Sequence, residues 1–549
     1  MQTARTVLEQ KIRERRQTLQ EFTVWAEAFA RDRGEPATLS VRHLQRLVAG
    51  QTPSGKPVGR PRPATSRLLE AIFGVGIDVL LASPGSDTDH KDAYTPWQPF
   101  LNIGAASTSI PQDKAPAVQT SSARVDMAQS FAWLDARSGW NSETTRRMVT
   151  SRLASLAADE VLDRPARRRK VGRSQIARAV ADYYGAAELG HHFYSVTCGD
   201  TEIRTSVLTC DQWLNLGCQL GMGNDRVALR SDASVVQEVV ASDRAIDRLA
   251  EATAQGIRMA NMPLYRLLDL KVRPGTISAE VGTVPFIEYA VSMDLLENEL
   301  IDALAAGTPD QLPLRDHYLP NLDSALNLSG RLCAGGVLAL CAIARPPDLY
   351  RGERDYAIVV QQRSSHVLNA AQRLSVIPKG FHQPMTDLHA DAQLTSTLLR
   401  EMEEELFGRT DVDNTVEGTC AAAPLHPGRM SEPMRWLTAN PSRVRMECTG
   451  FGLNLVSGNY EFACLLVIED DEFWARYGGE IEANWEASEL RLYSSRDHQL
   501  VGDLVGDESW SNEGVFAFSQ AIRQLHESSD ERSRLPVLRL NHGDCSNWY

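Results

Sequence analysis

The longest uninterrupted apolar stretch in the chain is residues 332–344 (LCAGGVLALCAIA), closed by Arg345. A helix that spans a bilayer needs about 20 such residues, so no segment reads as a membrane span and no membrane partner is expected. The apolar side chains, 43% of 549 residues, must be buried in ordinary cores. At roughly 100–200 residues per domain, that length calls for three to four domains. Lys11, Arg13, Arg15 and Arg16 precede no apolar segment, so no secretory signal is legible. The 9 cysteines form no CxxC pair, and an odd, scattered set is not a disulfide framework. A cytoplasmic protein is expected.

The net charge of −14 hides an asymmetry. Residues 1–70 hold 13 Lys/Arg against 7 Asp/Glu, whereas the rest holds 44 against 64. A basic head on an acidic body suits a nucleic-acid-binding module joined to a small-molecule or catalytic domain; an ordinary solvated helix surface is the plainer alternative. The acidic body repels phosphate, which confines nucleic-acid contact to the head or to local basic patches.

Apolar spacing divides the chain into a helical head (1–82), a flexible linker (83–123) rich in Pro, Ser, Thr and Ala, and a mainly helical middle domain (124–270). An α+β domain (271–530) and a C-terminal tail (531–549) follow. The expected strands of the α+β domain are 283–290, 335–344, 356–362, 374–378, 446–455, 460–468 and 490–493. Its helices are expected at 391–407 and 513–526, and Ser457-Gly458-Asn459 marks a hairpin turn.

In the head, helices are expected at 7–17, 18–33, 40–48 and 64–73. The third, SVRHLQRLVAG, starts at Ser40 as N-cap and turns Leu44 and Leu47 to a core. Arg42, His43, Gln45 and Arg46 are left on its other faces. Arg and Gln carry the forked donors and acceptors that read G and A edges in a major groove. The following Gly/Pro-rich loop offers Lys56, Arg60 and Arg62 to phosphates. Over about 80 residues the head resembles the lambda-repressor/Cro-like helix-turn-helix family, in LQEFTVWAEAFA, in the Ser-initiated reader helix and in RPATSRLLEAIFGVGIDVLL. GEPATL makes a longer connection before Ser40 than that family's tight turn. A small helical oligomerisation bundle would show the same periodicity.

The sharpest local signal is LLREMEEELFGR, residues 398–409. On a helix Leu394, Leu398, Met402 and Leu406 share one stripe, with Glu401, Glu404 and Glu405 along its border. Carboxylates at i, i+3 and i+4 can converge on one divalent ion, and hard oxygen ligands suit Mg²⁺ or Mn²⁺. A solvated acidic face paired with Arg400 and Arg409 is the alternative. REMEEE, with an upstream strand ending in VIPKGF, resembles the Nudix hydrolase signature. The resemblance implies a mixed-sheet α/β sandwich over about 330–530, with Gly380 opening the ligand loop and Arg400 orienting the carboxylates. It also implies metal binding or water activation by Glu401, Glu404 and Glu405, which would be the catalytic set if the site is active. The chain departs from that signature in a loop about six residues longer, in Ala392 where the pattern's middle Glu stands, and in Gly408, which slips by one.

Other candidates are weaker. His191 and His192 adjoin without a second ligand pair, so zinc is not expected. Arg167, Arg168, Arg169 and Lys170 read as an exposed basic loop, the best place for extra DNA contact outside the head. Trp213, Trp436, Trp485 and Trp510 read as core, and His382, Gln383 and Pro384 lie in the lengthened loop.

The expected architecture is therefore multidomain: an all-α head, a mostly α middle domain and an α/β Nudix-like mixed-sheet C-terminal domain. This order suits a transcription regulator that binds double-stranded DNA as a homodimer and senses a nucleotide-like or phosphorylated effector. The competing expectation is a metal-dependent Nudix-type pyrophosphohydrolase with an accessory head, using Mg²⁺ or Mn²⁺ and no organic cofactor.

Overall fold

The structure, a computed structural model, describes residues 5–14, 22, 26, 44, 47–48, 61, 63–73, 75–82, 119–155, 158–185, 190–230, 242–257, 259, 261–348, 352–365, 367–408, 429–478, 481, 486–528 and 531–541. It is a multidomain α/β protein with two compact units, residues 1–115 and 116–549. No helix among the described residues is long and apolar enough to cross a membrane.

In the first unit, helices α1 (Val7–Glu14), α2 (Pro63–Phe73) and α3 (Ile77–Leu81) are described. Leu44 and Leu47, expected to face a core, are buried with Leu8, Phe22, Leu68 and Leu80. The Phe22 and Phe73 rings stack at 5.5 Å. Glu70 replaces a missing N-cap on α3 by accepting the Ile77 N–H at 2.7 Å. The Val7 N–H donates to the Ala82 carbonyl at 2.9 Å and so ties the start of α1 to the end of α3.

The second unit begins with helices α4 (Gln119–Ser138), α5 (Thr144–Ser155), α6 (Ala158–Arg169) and α7 (Arg173–Tyr184). Residues 119–123, expected in the linker, already belong to α4. The basic run expected as a loop lies largely on α6. Like charges repel along a helix, but Arg168 pairs with both Asp302 and Glu251, which removes that cost.

Strands β1 (His191–Cys198), β2 (Thr201–Cys210), β3 (Leu214–Gln219) and β4 (Asp225–Leu229) come next, then α8 (Ser242–Gln255), β5 (Pro263–Arg273) and β6 (Thr276–Pro285). Helices α9 (Phe286–Ala290), α10 (Leu295–Ala306), α11 (Pro313–Tyr318) and α12 (Leu322–Leu326) lead to β7 (Gly335–Arg345), β8 (Asp355–Arg363), β9 (Leu374–Val376) and β10 (Lys379–Phe381). Then follow α13 (Leu394–Glu401), α14 (Glu432–Thr438), β11 (Val444–Asn454), β12 (Asn459–Ile468), α15 (Asp471–Tyr477), β13 (Ala487–Ser494), α16 (His498–Val505), α17 (Asn512–Glu527) and β14 (Leu538–Leu540).

Eleven strands form one mixed sheet in the order β13-β8-β7-β12-β11-β2-β1-β14, with β9 on β8, β10 on β7 and β3 on β11. The central β7–β12 pair is parallel. One face packs Val337, Ala339 and Cys341 against Leu394, Leu398 and Met402; the other packs Leu338, Leu340 and Ala342 against Phe516 and Ile522 of α17. All eleven residues of β7 are buried. A strand covered on both faces needs a continuous apolar run rather than an alternating one, and each large aliphatic side chain so buried contributes about 1.5–3 kcal/mol.

The sheet crosses the boundary expected at residue 270: β1, β2 and β3 precede it yet pair with each other, with β11 or with β14. The segment 124–270 is thus part helix and part sheet: β1, β2 and β3 join the larger sheet, while β4 and β5 form a separate three-stranded sheet with β6. The strand expected at 283–290 ends at Pro285 and gives way to α9. The helix expected at 391–407 is α-helical only to Glu401 and continues as a π-helical turn, Met402–Leu406.

Candidate functional site

The site grows from a short stretch of backbone. Strand β9 enters from the sheet, Lys379–Phe381 pairs with β7 as β10, and α13 returns across the same face. Gly380 pairs with Val337 inside β10, so it is a strand residue rather than the opening of a loop. A Cβ at Gly380 would lie 1.7 Å from Glu401 Oε1, so the glutamate carboxyl fills the space that glycine leaves.

The π turn re-aims the glutamates. A π turn closes i→i+5 rather than i→i+4 hydrogen bonds, so the helical spacing that would gather Glu401, Glu404 and Glu405 does not persist through it. Arg400 sits between the first two, with Nη2 2.7 Å from Glu401 Oε1 and Nη1 3.7 Å from Glu404 Oε1. It also donates to the Phe381 carbonyl at 3.1 Å. Glu405 points elsewhere: it accepts the Lys379 backbone N–H at 2.6 Å and the Gln361 amide at 3.3 Å, with Arg363 at 4.0 Å. Glu403, which the sequence reading left unassigned, is buried and accepts the Ser431 hydroxyl at 2.6 Å and the Ser431 N–H. A fourth glutamate turned inward is a consequence of the π turn and has no signal in an α-helical reading.

The three glutamates of the signature are therefore brought to one helix end without converging on one point. Among the described residues, no three Asp, Glu, His or Cys side chains are placed to share a metal ion.

Electrostatics around this end are severe. Burial pushes the Glu405 carboxyl well above the usual range, and Glu486 and Glu401 push the same way against Arg363 and the Lys379 N–H. On the neighbouring strand β12, burial raises Glu461 to about 8, with Glu513 and Glu297 adding to it and Lys379 opposing. Glu513, at the start of α17, is driven up by burial but held net below its ordinary value by Lys379 Nζ at 2.7 Å. Lys379 thus serves two carboxylates, Glu405 through its backbone and Glu513 through its side chain. Neither Lys379 nor Glu461 stands out in sequence, since only the sheet brings their strands together.

His382 of the lengthened loop is a core residue. Its ring nitrogens bond the Tyr460 hydroxyl at 2.9 Å and the Ala392 carbonyl at 2.8 Å, and burial with the nearby Arg400 charge lowers it to about 4. Asp391 organises the same loop by accepting the backbone N–H groups of Met385, Thr386 and Asp387. Trp510 is buried and donates to the Leu504 carbonyl at 2.7 Å, whereas Trp436 lies under Arg443 at 3.6 Å. Trp485 lies outside the described residues, as do Ser40, Arg42, His43, Gln45, Arg46, Lys56, Arg60 and Arg62 of the expected DNA-reading surface.

No protein-family model matches the chain, and no match to a curated protein is found.

Proposed function

We propose that the chain is a DNA-binding transcriptional regulator whose C-terminal domain, Nudix-like over about 330–530, senses a nucleotide-like or phosphorylated ligand. The head supports the DNA part through its basic balance and through Leu44 and Leu47, which are buried as a reader helix with Arg42, His43, Gln45 and Arg46 on its other faces would require. The order β9, β10, α13 on one face of a mixed sheet, with α17 on the other, supports the Nudix-like reading. The observation that carries sensing over hydrolysis is the engagement of the signature glutamates. Glu401 and Glu404 share Arg400, while Glu405 is buried against Lys379 and Gln361. Such a cluster holds a domain in one arrangement, and a ligand with unequal affinity for two arrangements shifts their balance. The protein acts in the cytoplasm as a homodimer on two half-sites about one helical turn apart.

The test is titration of the full chain against duplex DNA at low salt. Selective binding that Arg42→Ala with Arg46→Ala abolishes supports the reading, and indifference to every duplex refutes it.

The hydrolase is the second reading, favoured by one observation: Arg400 holds Glu401 and Glu404 as an orienting arginine would. In that reading Glu401, Glu404 and Glu405, oriented by Arg400, would hold Mg²⁺ or Mn²⁺. Metal-dependent turnover of a nucleoside diphosphate panel, lost in Glu404→Gln and in Glu405→Gln, would establish it.

A further inference from the structure

At the start of β12 the fold leaves oxygen acceptors without donors. Asn459 and Glu461 stand two residues apart on that strand and so share one face. They are 6% and 4% exposed. Asn459 and Asn369 both donate to the Tyr289 hydroxyl, at 3.0 and 3.2 Å, which brings the two amides together. Asn369 also donates to Asp294 and Glu297, at 2.8 and 3.2 Å. Ionised carboxylates only accept, so the Asn369 amide is fixed with Oδ1 as its acceptor. The Oδ1 atoms of Asn369 and Asn459 are buried and receive no hydrogen bond among the described residues. The Glu461 carboxyl makes none there either; only charges act on it. Buried acceptors are normally filled.

The cations nearby are taken. Lys379 lies 2.7 Å from Glu513, Arg363 lies 3.6 Å from Glu486 and 4.0 Å from Glu405, and Arg248 holds Asp294 at 2.8 Å. Arg373 acts on Glu297 and Glu513 from a distance while donating to the Val171 carbonyl. Glu297 itself accepts only the N–H groups of Asn369 and Ala370. Among these groups carboxyls outnumber cations. There is also room beside Glu461: the residue opposite it on β7 is Gly336, so no side chain of that strand covers the carboxyl. Lys379, Phe381, Phe286, Asn369 and Glu297 are each partly exposed, which puts this end of the sheet within reach of solvent. The Phe381 ring meets Tyr289 at 5.4 Å and Phe286 at 5.9 Å, and aromatic faces attract cations.

We propose that this end of the sheet binds the primary ammonium group of a small amine, held by Glu461 and by the Oδ1 atoms of Asn459 and Asn369. An ammonium brings three donors and one positive charge, which matches three unfilled acceptors and the missing cation. A neutral donor would fill the oxygens but leave the carboxyl without a counter-charge, and an anion would meet the excess of carboxyls. Binding ionises Glu461: its O–H bond breaks, the proton passes to solvent and the carboxylate stays with the ammonium. The charged groups that face Glu461 are Lys379, Arg363, Glu513 and Glu297. Burial raises the neighbouring Tyr460 and Cys333, so both stay neutral through the physiological range. The inference goes beyond the sensor reading, since it assigns a group other than phosphate, and it does not depend on the head.

The experiment is calorimetric titration of the full chain with methylammonium, ethanolamine and putrescine, with 1,4-butanediol as the uncharged counterpart of putrescine. Each titration is run from pH 6 to 8 in two buffers of different ionisation enthalpy, which counts the protons released. Binding of at least one amine, but not of the diol, is expected, with release of a proton. Because folded Glu461 keeps its proton to about 8, affinity should rise with pH over this range, by at most about tenfold per unit. Glu461→Gln should weaken binding about ten- to a hundredfold, the range for losing a charge-assisted hydrogen bond, and remove the pH dependence. Asn459→Asp adds a carboxylate and should tighten binding. Arg476→Ala, on α15, should bind as the parent chain does. No amine binding, a diol that binds as well as putrescine, or equal binding in Glu461→Gln and the parent chain overturns the proposal. DNA affinity measured on the same samples keeps the two questions apart: amine binding without any DNA binding sustains the site and sinks the regulator.

Discussion

Two regions of the second unit collect opposite charges and treat them differently. At the end of the sheet, Glu401, Glu404, Glu405, Glu461 and Glu513 are each at most 5% exposed. They share few cations, chiefly Arg400, Arg363 and Lys379. Between α6, α8 and α10 the carboxylates Asp302 and Glu251 are partly exposed and matched by arginines, as with Asp302 at 29% and Arg168 at 15%. In the first region, desolvation dominates, so Glu405 and Glu461 favour their protonated forms. In the second, pairing dominates, so burial notwithstanding, Arg168 and Arg164 hold Asp302 below its ordinary value. Burial sets the cost of the charge, and a cation within hydrogen-bond reach decides the outcome: Glu513, as buried as Glu461, is held below its ordinary value by Lys379 at 2.7 Å.

That contrast can be broken by substitution. Arg400→Ala leaves Glu401 and Glu404 buried without their shared guanidinium, and a loss of about 3–5 kcal/mol is expected, read from denaturant unfolding of the full chain. A loss under 1 kcal/mol would mean that water reaches these carboxylates. Gly380→Ala drives a methyl group into the Glu401 carboxyl and should cost about 1–3 kcal/mol as overpacking. The same substitution in a Glu401→Ala background should cost less, since the occupant of the space is gone.

The pH dependence sharpens the comparison. Folded Glu461 keeps its proton to about 8, whereas its ordinary value is 4.5. Between those values the folded chain binds more protons than the unfolded one. Stability therefore falls as pH rises through the window, by about 1.4 kcal/mol per unit at the steepest. Glu461→Gln should flatten the slope measured by thermal unfolding from pH 5 to 8; an unchanged slope would place the buried proton elsewhere. Asp302→Asn carries the smallest effect, about 1 kcal/mol or less for a partly exposed pair, and added salt should shrink the difference from the parent chain.

Much of the local structure was legible because its cause is local. The segment 335–344, expected as a strand, is β7; the run 460–468, expected as another, lies in β12; Leu44 and Leu47 were placed in a core and are buried. Arg400 and Gly380 were singled out and do meet Glu401, but Gly380 does so from within a strand. The inward turn of Glu403 was not legible, because a π turn replaces the α spacing assumed for 402–406. Nor was the role of Arg164 and Arg168, whose partners Asp302 and Glu251 lie on other helices.

Sequence by itself determined most of the strands from 335 onward, where the cores draw their apolar residues and that charge is divided between head and body. Tertiary structure alone decided which glutamates are neutral, which arginines are matched and that β1 and β2 belong with β11 and β12. Periodicity depends on neighbours along the chain, whereas a carboxylate's protonation depends on the dielectric and the charges within a few ångströms, and those come from distant residues.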